Sequence, residues 1–169
     1  DAVLNIVLHG SFYCTLGAGQ RWIAAGRGGP VLSVATTPAF TGAAFTAPSA
    51  AAKAGIVAMT RSLAVEWGPY GIQVNGLVPG LFPHYDMTAD IAGNLDRTHD
   101  KDVCQPALRV GQRQELGWAA TFLASPYARF ISGHTLVVDG ANWQRRNLVS
   151  PPVTPIREQM GRPPFGSEG

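Results

Sequence analysis

The chain has 169 residues, 46% apolar and 14% charged, with 13 basic side chains against 11 acidic ones. That suffices for one domain with a real core but not for two, and it excludes a disordered chain. A net charge of +2 is too small for a surface that binds nucleic acid, and no apolar run approaches the length of a membrane span or a signal peptide.

Val3, Ile6, Val7, Gly10, Phe12, Leu16, Trp22 and Ile23 recur every three to four positions, which predicts a helix over residues 1–25. Gly26–Pro30 breaks it. Val31–Ala35 is a short run with no polar face, as in a strand covered on both sides. Residues 36–47 read as a Thr/Pro/Gly loop. A second helix is expected from Pro48 to Trp67, with proline in its first turn and Gly68-Pro69 stopping it. Gly71–Val78 reads as another buried strand. A polar, irregular segment follows to about Gly111, with a short helix near Met87–Ala92, and then a helix over Gln112–Leu123. Thr135–Asp139 is the last strand. The tail holds Pro151, Pro152, Pro155, Pro163 and Pro164 and reads as extended or disordered. Strands separated by helices imply right-handed crossovers and a doubly wound α/β sheet, with parallel strands near 31–36, 71–78 and 134–139 side by side in that order. The expected division is a folded part over 1–143 and a Pro-rich tail over 144–169.

The Gly-x-Gly-x-x-Gly turn that receives a dinucleotide pyrophosphate is missing. Gly17-Ala-Gly19 lies inside a helical pattern, and Gly26-x-Gly28-Gly29 precedes a strand instead of following one, so both read as structural glycines. Cys14 and Cys104 match no ligand spacing and read as free thiols in a reducing compartment. His9, His99 and His134 have no metal-ligand partners at useful spacing, so no metal is expected. Arg145-Arg146 reads as a solvated turn. Ser49 and Lys53 are i and i+4 and share a helix face. A hydroxyl beside an ammonium suits a ribose hydroxyl or a developing oxyanion; the plain alternative is a surface lysine on an Ala-rich helix.

Pro48-Ser-Ala-Ala-Ala-Lys53, then Ala64-Val-Glu-Trp-Gly68 and Asn75-Gly-Leu-Val-Pro-Gly80, resemble the active-site helix and following strand of the short-chain dehydrogenase/reductase family. Leu123–Gly133 and Val137–Gly140 look like that family's last helix, loop and strand. The resemblance runs to about Trp143. It implies a Rossmann-like fold whose cofactor-binding N-terminal half lies outside these residues, and with Asp1 in first place the chain is expected to be a fragment. It also implies that the strand at 31–36 pairs with one contributed by earlier residues, so that the 169 residues alone bind no dinucleotide. The catalytic tyrosine, four residues before the lysine in most members, is Ser49 here. The catalytic serine position is Thr36, and the tetrad asparagine falls at Val7.

With Thr41-Gly-Ala-Ala-Phe45 before the helix, the match is most similar to the 2,4-dienoyl-CoA reductases. Their chemistry explains the lost phenol. A dienoyl thioester takes hydride far down its conjugated chain, so the charge gathers on the thioester oxygen, where hydrogen-bond donors are needed more than an acid. The resemblance implies NADPH (NADP) as cofactor and an acyl-CoA substrate, in the manner of fatty-acid β-oxidation. Lys53, Ser49 and Thr36 are the implied catalytic residues. Lys53, Pro79, Gly80 and Leu81 would hold the cofactor, and His84 and Tyr85 would face the substrate. A homotetramer built through the first two helices is implied as well. The expected location is cytoplasmic for a bacterial protein and mitochondrial or peroxisomal for a eukaryotic one, not secreted. The tyrosine that mitochondrial-type reductases carry fifteen residues before the lysine is Pro38 here, and the enoyl-carrier-protein reductase pattern meets Thr46 where its tyrosine would stand. Two rival readings are a catalytically silent binding or assembly subunit and a reductase of another conjugated carbonyl.

Overall fold

Pro30–Val34 (β1) and Gln73–Pro79 (β2) pair in parallel, and Thr135–Val138 (β3) pairs in parallel with the far side of β2, giving the order β1-β2-β3. This is the expected order and direction. Val34 stands opposite Leu77, and Pro79 opposite Val138. All residues of β2 from Val74 to Val78 are buried, which explains why its sequence shows no alternation of apolar and polar residues.

The computed structural model describes residues 2–82, 105–145 and 160–161. They fall into two compact units, Asp1–Phe82 with Gly111–Asp139, and Pro83–Val110 with Gly140–Gly169. The sheet and the helices around it belong to the first. In the second, Asn142–Arg145 forms a 3-10 turn, and Gly140 (φ 61°) has the Ala107 methyl 2.8 Å from where a side chain would begin. The expected short helix at Met87–Ala92 lies outside the described residues. So does the Pro-rich tail, except for residues 144–145 and 160–161.

The first helix differs from a plain α-helix at its start. Leu4–His9 is π-helical, with the Gly10 N–H bonded to the Asn5 carbonyl, and it continues into α1, Gly10–Ala24. The Ser11 hydroxyl donates to the Val7 carbonyl at 2.6 Å, a side-chain bond that competes with regular helical pairing. Residues 36–47 are not all loop: Pro38–Thr41 forms a short helix, α2. Pro38 stands at its start, where the fixed φ of proline favours a helical turn and its missing N–H costs nothing.

Ala47–Trp67 is α3, which buries Ala52, Ile56, Val57, Thr60, Leu63 and Trp67 along one stripe. Leu63 and Trp67 pack with Ile72 and Val74, flanked by Leu16, Trp22 and Met59. A second cluster joins Ala35, Val57 and Val78, flanked by Ala39 and Val137. Full burial of side chains such as Ile56, Ile72 and Leu77 stabilises the fold by roughly 1.5–3 kcal/mol each. A side chain at Gly19 would begin in collision with the Trp67 ring, so α1 approaches α3 only because residue 19 has none. The fourth helix, α4, is Arg113–Leu123, and Glu115 accepts the Gln112 N–H at 2.8 Å to close its first turn.

Candidate active site

In open α/β sheets, ligands bind beyond the carboxyl ends of the strands, and there the structure collects most of the residues singled out from sequence. Ala52 is wholly buried, so α3 lies close to the sheet and the half-buried Lys53 stem can cross to the end of β1. Its Nζ donates to the Val34 carbonyl at 2.7 Å. An ammonium has three N–H groups. Among the described residues one goes to Val34, which fixes the head group and leaves two for a ligand. Ser49, also half-buried, sits one turn toward the N-terminus on the same face of α3.

Thr36 follows β1 by two residues and is half-buried. The segment leading to it is tied down: the Ala35 N–H bonds the Leu77 carbonyl at 2.8 Å, and the Thr36 carbonyl accepts the Ala39 N–H at 3.1 Å. Pro79 closes β2 on the neighbouring strand. The Gly80 N–H bonds the Val138 carbonyl at 2.9 Å, and the Leu81 carbonyl accepts the Gly111 N–H at 3.0 Å. A side chain at Gly80 would begin 2.6 Å from the Asp139 Cα, so only glycine lets the two chains pass this closely. Val34 links Thr36 to Lys53, and the sheet register sets Pro79–Leu81 on the adjacent strand. Val7 lies in the π-helical turn and Pro38 at the start of α2. His84 and Tyr85 lie outside the described residues.

Two features escaped the sequence reading. One is the anchor of Lys53, a backbone carbonyl that no residue type encodes. The other is the role of Asn75, which is 2% exposed. Its Nδ2 donates to the Ile131 carbonyl at 2.8 Å, and its Oδ1 accepts the His134 N–H at 3.1 Å. The Ser132 hydroxyl accepts the Val74 N–H at 3.1 Å, and the Gly133 N–H bonds the Val74 carbonyl at 2.7 Å. Together these bonds clasp the loop before β3 to β2. An asparagine inside an apolar strand is the available signal, because a buried amide needs partners.

Among the described residues no group of three or more His, Cys, Asp or Glu side chains is placed to hold a metal ion, and no helix is long and apolar enough to cross a membrane. Cys14 is a free, exposed thiol. The chain itself has no glycine-rich loop for the pyrophosphate.

A parallel α/β sheet carries a lysine, a serine and a close glycine turn at its carboxyl edge. A family model described as enoyl-(acyl carrier protein) reductase matches residues 1–141. The chain is 35% identical over 150 residues to a probable 2,4-dienoyl-CoA reductase of Bacillus subtilis (strain 168), covering 84% of this chain and 56% of that protein. It is 38% identical over 116 residues to the peroxisomal 2,4-dienoyl-CoA reductase of Mus musculus, covering 69% of this chain and 40% of the relative. Among solved structures it resembles a short-chain dehydrogenase from Bacillus anthracis, at 36% identity and a TM-score of 0.73, covering 88% of this chain and 56% of that one. It also resembles a gluconate 5-dehydrogenase from Burkholderia cenocepacia in complex with NADP and tartrate, at 31% identity and a TM-score of 0.76, covering 85% and 55%. The chain belongs to the short-chain dehydrogenase/reductase family and spans about half the length of the relatives it matches.

Proposed function

We propose that the protein reduces a conjugated thioester of the 2,4-dienoyl-CoA type with NADPH. The observation that carries this reading is the pairing at the carboxyl edge of the sheet: Lys53 is pinned by the Val34 carbonyl, while the residue one turn before it is Ser49 and not a tyrosine. Among the described residues such a site offers donors to an oxygen and no tyrosine at the family's position. NADPH supplies a hydride when bound. Lys53 would hold the ribose hydroxyls with its two remaining N–H groups, and Pro79, Gly80 and Leu81 would lie beside the cofactor. Ser49 and Thr36 would donate to the thioester oxygen as charge develops there, an effect on the order of a hundredfold in rate per donor.

The proton that completes the reaction would add at carbon, from water or a group elsewhere. His84 and Tyr85 are the proposed substrate-side residues from which such a group would come. The Bacillus subtilis relative is named as (2E)-enoyl-CoA-producing and the Mus musculus relative as (3E)-enoyl-CoA-producing. After hydride adds at the far end of the diene, protonation of the dienolate at C4 gives the first product and at C2 the second. We propose assembly as a homotetramer through the first helix (residues 4–24) and α3, the two long helices expected from sequence, supported by Ile6 and Tyr13 on the first and Val65 on α3, which are 75%, 69% and 80% exposed.

The test is to incubate the full-length protein with NADPH and a 2,4-dienoyl-CoA. Loss of the nicotinamide absorbance together with an enoyl-CoA product supports the reading. A flat trace with this substrate contradicts it and favours a silent binding subunit.

A further inference from the structure

Gly80, Leu81 and Phe82 carry the chain away from the carboxyl end of β2, and a loop leaving a strand keeps its place only as far as it is tied down. Two ties are backbone bonds. The Gly80 N–H donates to the Val138 carbonyl at 2.9 Å, and the Gly111 N–H donates to the Leu81 carbonyl at 3.0 Å. The third is a side chain to which the mechanism above gives no part. The half-buried Phe82 ring lies on Gly111 so closely that a side chain at position 111 would begin in collision with it. Gly111 is not among the glycines of positive φ, so its backbone is open to other residues, and it is the ring that demands glycine there. The next residue, Gln112, donates its N–H to Glu115 at the head of α4. Ring and backbone bond thus fasten the loop after β2 to a single residue beside a capped helix.

We propose that Phe82 is a positioning residue: pressed on Gly111, its ring holds Pro79, Gly80 and Leu81 where the nicotinamide cofactor meets them. This rests on the cofactor reading given above. Phe82 acts through the loop and not on the reacting atoms. It adjoins Leu81, so a ring that keeps its seat on Gly111 also keeps the Leu81 carbonyl within reach of the Gly111 N–H. Without the ring, one backbone bond is left to hold that end of the loop. A displacement on the order of 1 Å near a bound reactant can cost about a hundredfold in rate, so a brace here is felt in cofactor binding before it is felt in the fold. Gly111 is the other half of the same brace, since a methyl group at that position pushes the ring away.

The experiment uses the full-length protein as parent, Phe82→Ala, Phe82→Leu, Gly111→Ala and the double variant Phe82→Leu/Gly111→Ala. The Kd for NADPH is measured by fluorescence titration below each variant's Tm, beside steady-state kinetics with 2,4-hexadienoyl-CoA. Phe82→Ala and Gly111→Ala should each raise the Kd and KM for NADPH on the order of tenfold, with KM for the dienoyl-CoA unchanged. Phe82→Leu should have a smaller effect. The double variant should bind NADPH more tightly than Gly111→Ala alone, because the smaller side chain makes room for the methyl group. A fall in Tm with the parent's Kd for NADPH would reduce Phe82 to a packing role and overturn the proposal. So would an equal rise in KM for both substrates, or a double variant no better than Gly111→Ala. Should Phe82→Ala fail to fold, Gly111→Ala and the double variant decide by the same outcomes. A parent that does not bind NADPH overturns the cofactor reading itself, a result distinct from a parent that binds and variants that bind equally well.

Discussion

Asn75→Ala offers the sharpest test of how the site is braced. The side chain is 2% exposed and gives two hydrogen bonds across to the loop before β3, at 2.8 Å to the Ile131 carbonyl and 3.1 Å from the His134 N–H. Each such bond contributes about 0.5–1.5 kcal/mol net, and leaving a buried partner unsatisfied adds to the loss. The expected destabilisation is therefore about 2–4 kcal/mol. At roughly 2–4 °C per kcal/mol for a domain of this size, Tm should fall by about 5–15 °C. Urea denaturation should show a lower midpoint with an unchanged slope, since the surface exposed on unfolding is the same. Because the clasp fixes β2 against β3, hydrogen exchange at the Gly133 and His134 amides should accelerate as well. A midpoint shift equivalent to less than about 0.5 kcal/mol, the range of ordinary surface substitutions, would refute the claim that Asn75 holds this edge together.

Three further outcomes follow from the geometry. Gly19→Ala should destabilise the protein by about 1–3 kcal/mol in chemical denaturation, because its methyl would enter the Trp67 ring; a neutral effect would show that α1 and α3 are not in close contact. Lys53→Ala should lower kcat/KM on the order of a hundredfold and raise the KM for NADPH, as the ribose loses its anchor; unchanged kinetics would remove the lysine from the mechanism. Ser49→Tyr should not create ketone reduction, because a new phenol lacks the supporting asparagine where Val7 stands. Turnover of a simple ketone by that variant would show the missing tyrosine to be the sole barrier.

The fold was legible because its signals are local and redundant. Apolar runs without alternation marked β1 and β2 as strands, and the helix-length segments between them left few alternatives to parallel crossovers; the expected cover on both faces holds for β2, buried from Val74 to Val78, but not for β1, which has no buried residue and leaves Val34 50% exposed. Where the reading slipped, the cause was a contact that residue types do not report. Helix α2 is four residues long, too short for any periodicity. The π-helical start of the first element repeats the same apolar spacing as an α-helix, and only its wider backbone bonding, as from Gly10 to Asn5, separates them. At the site, Ser49 and Lys53 could be paired from their spacing alone. The tie from Lys53 to the Val34 carbonyl could not, because any residue at position 34 would supply it.

The most direct test of the central claim is the fate of the transferred hydrogen. Full-length protein should be given NADPH deuterated at the transferable position and a 2,4-dienoyl-CoA, and the product examined by NMR and mass spectrometry. The account predicts one deuterium on the carbon at the far end of the former diene, with the thioester intact. Deuterium at the carbonyl carbon, or no transfer to this substrate, would contradict it.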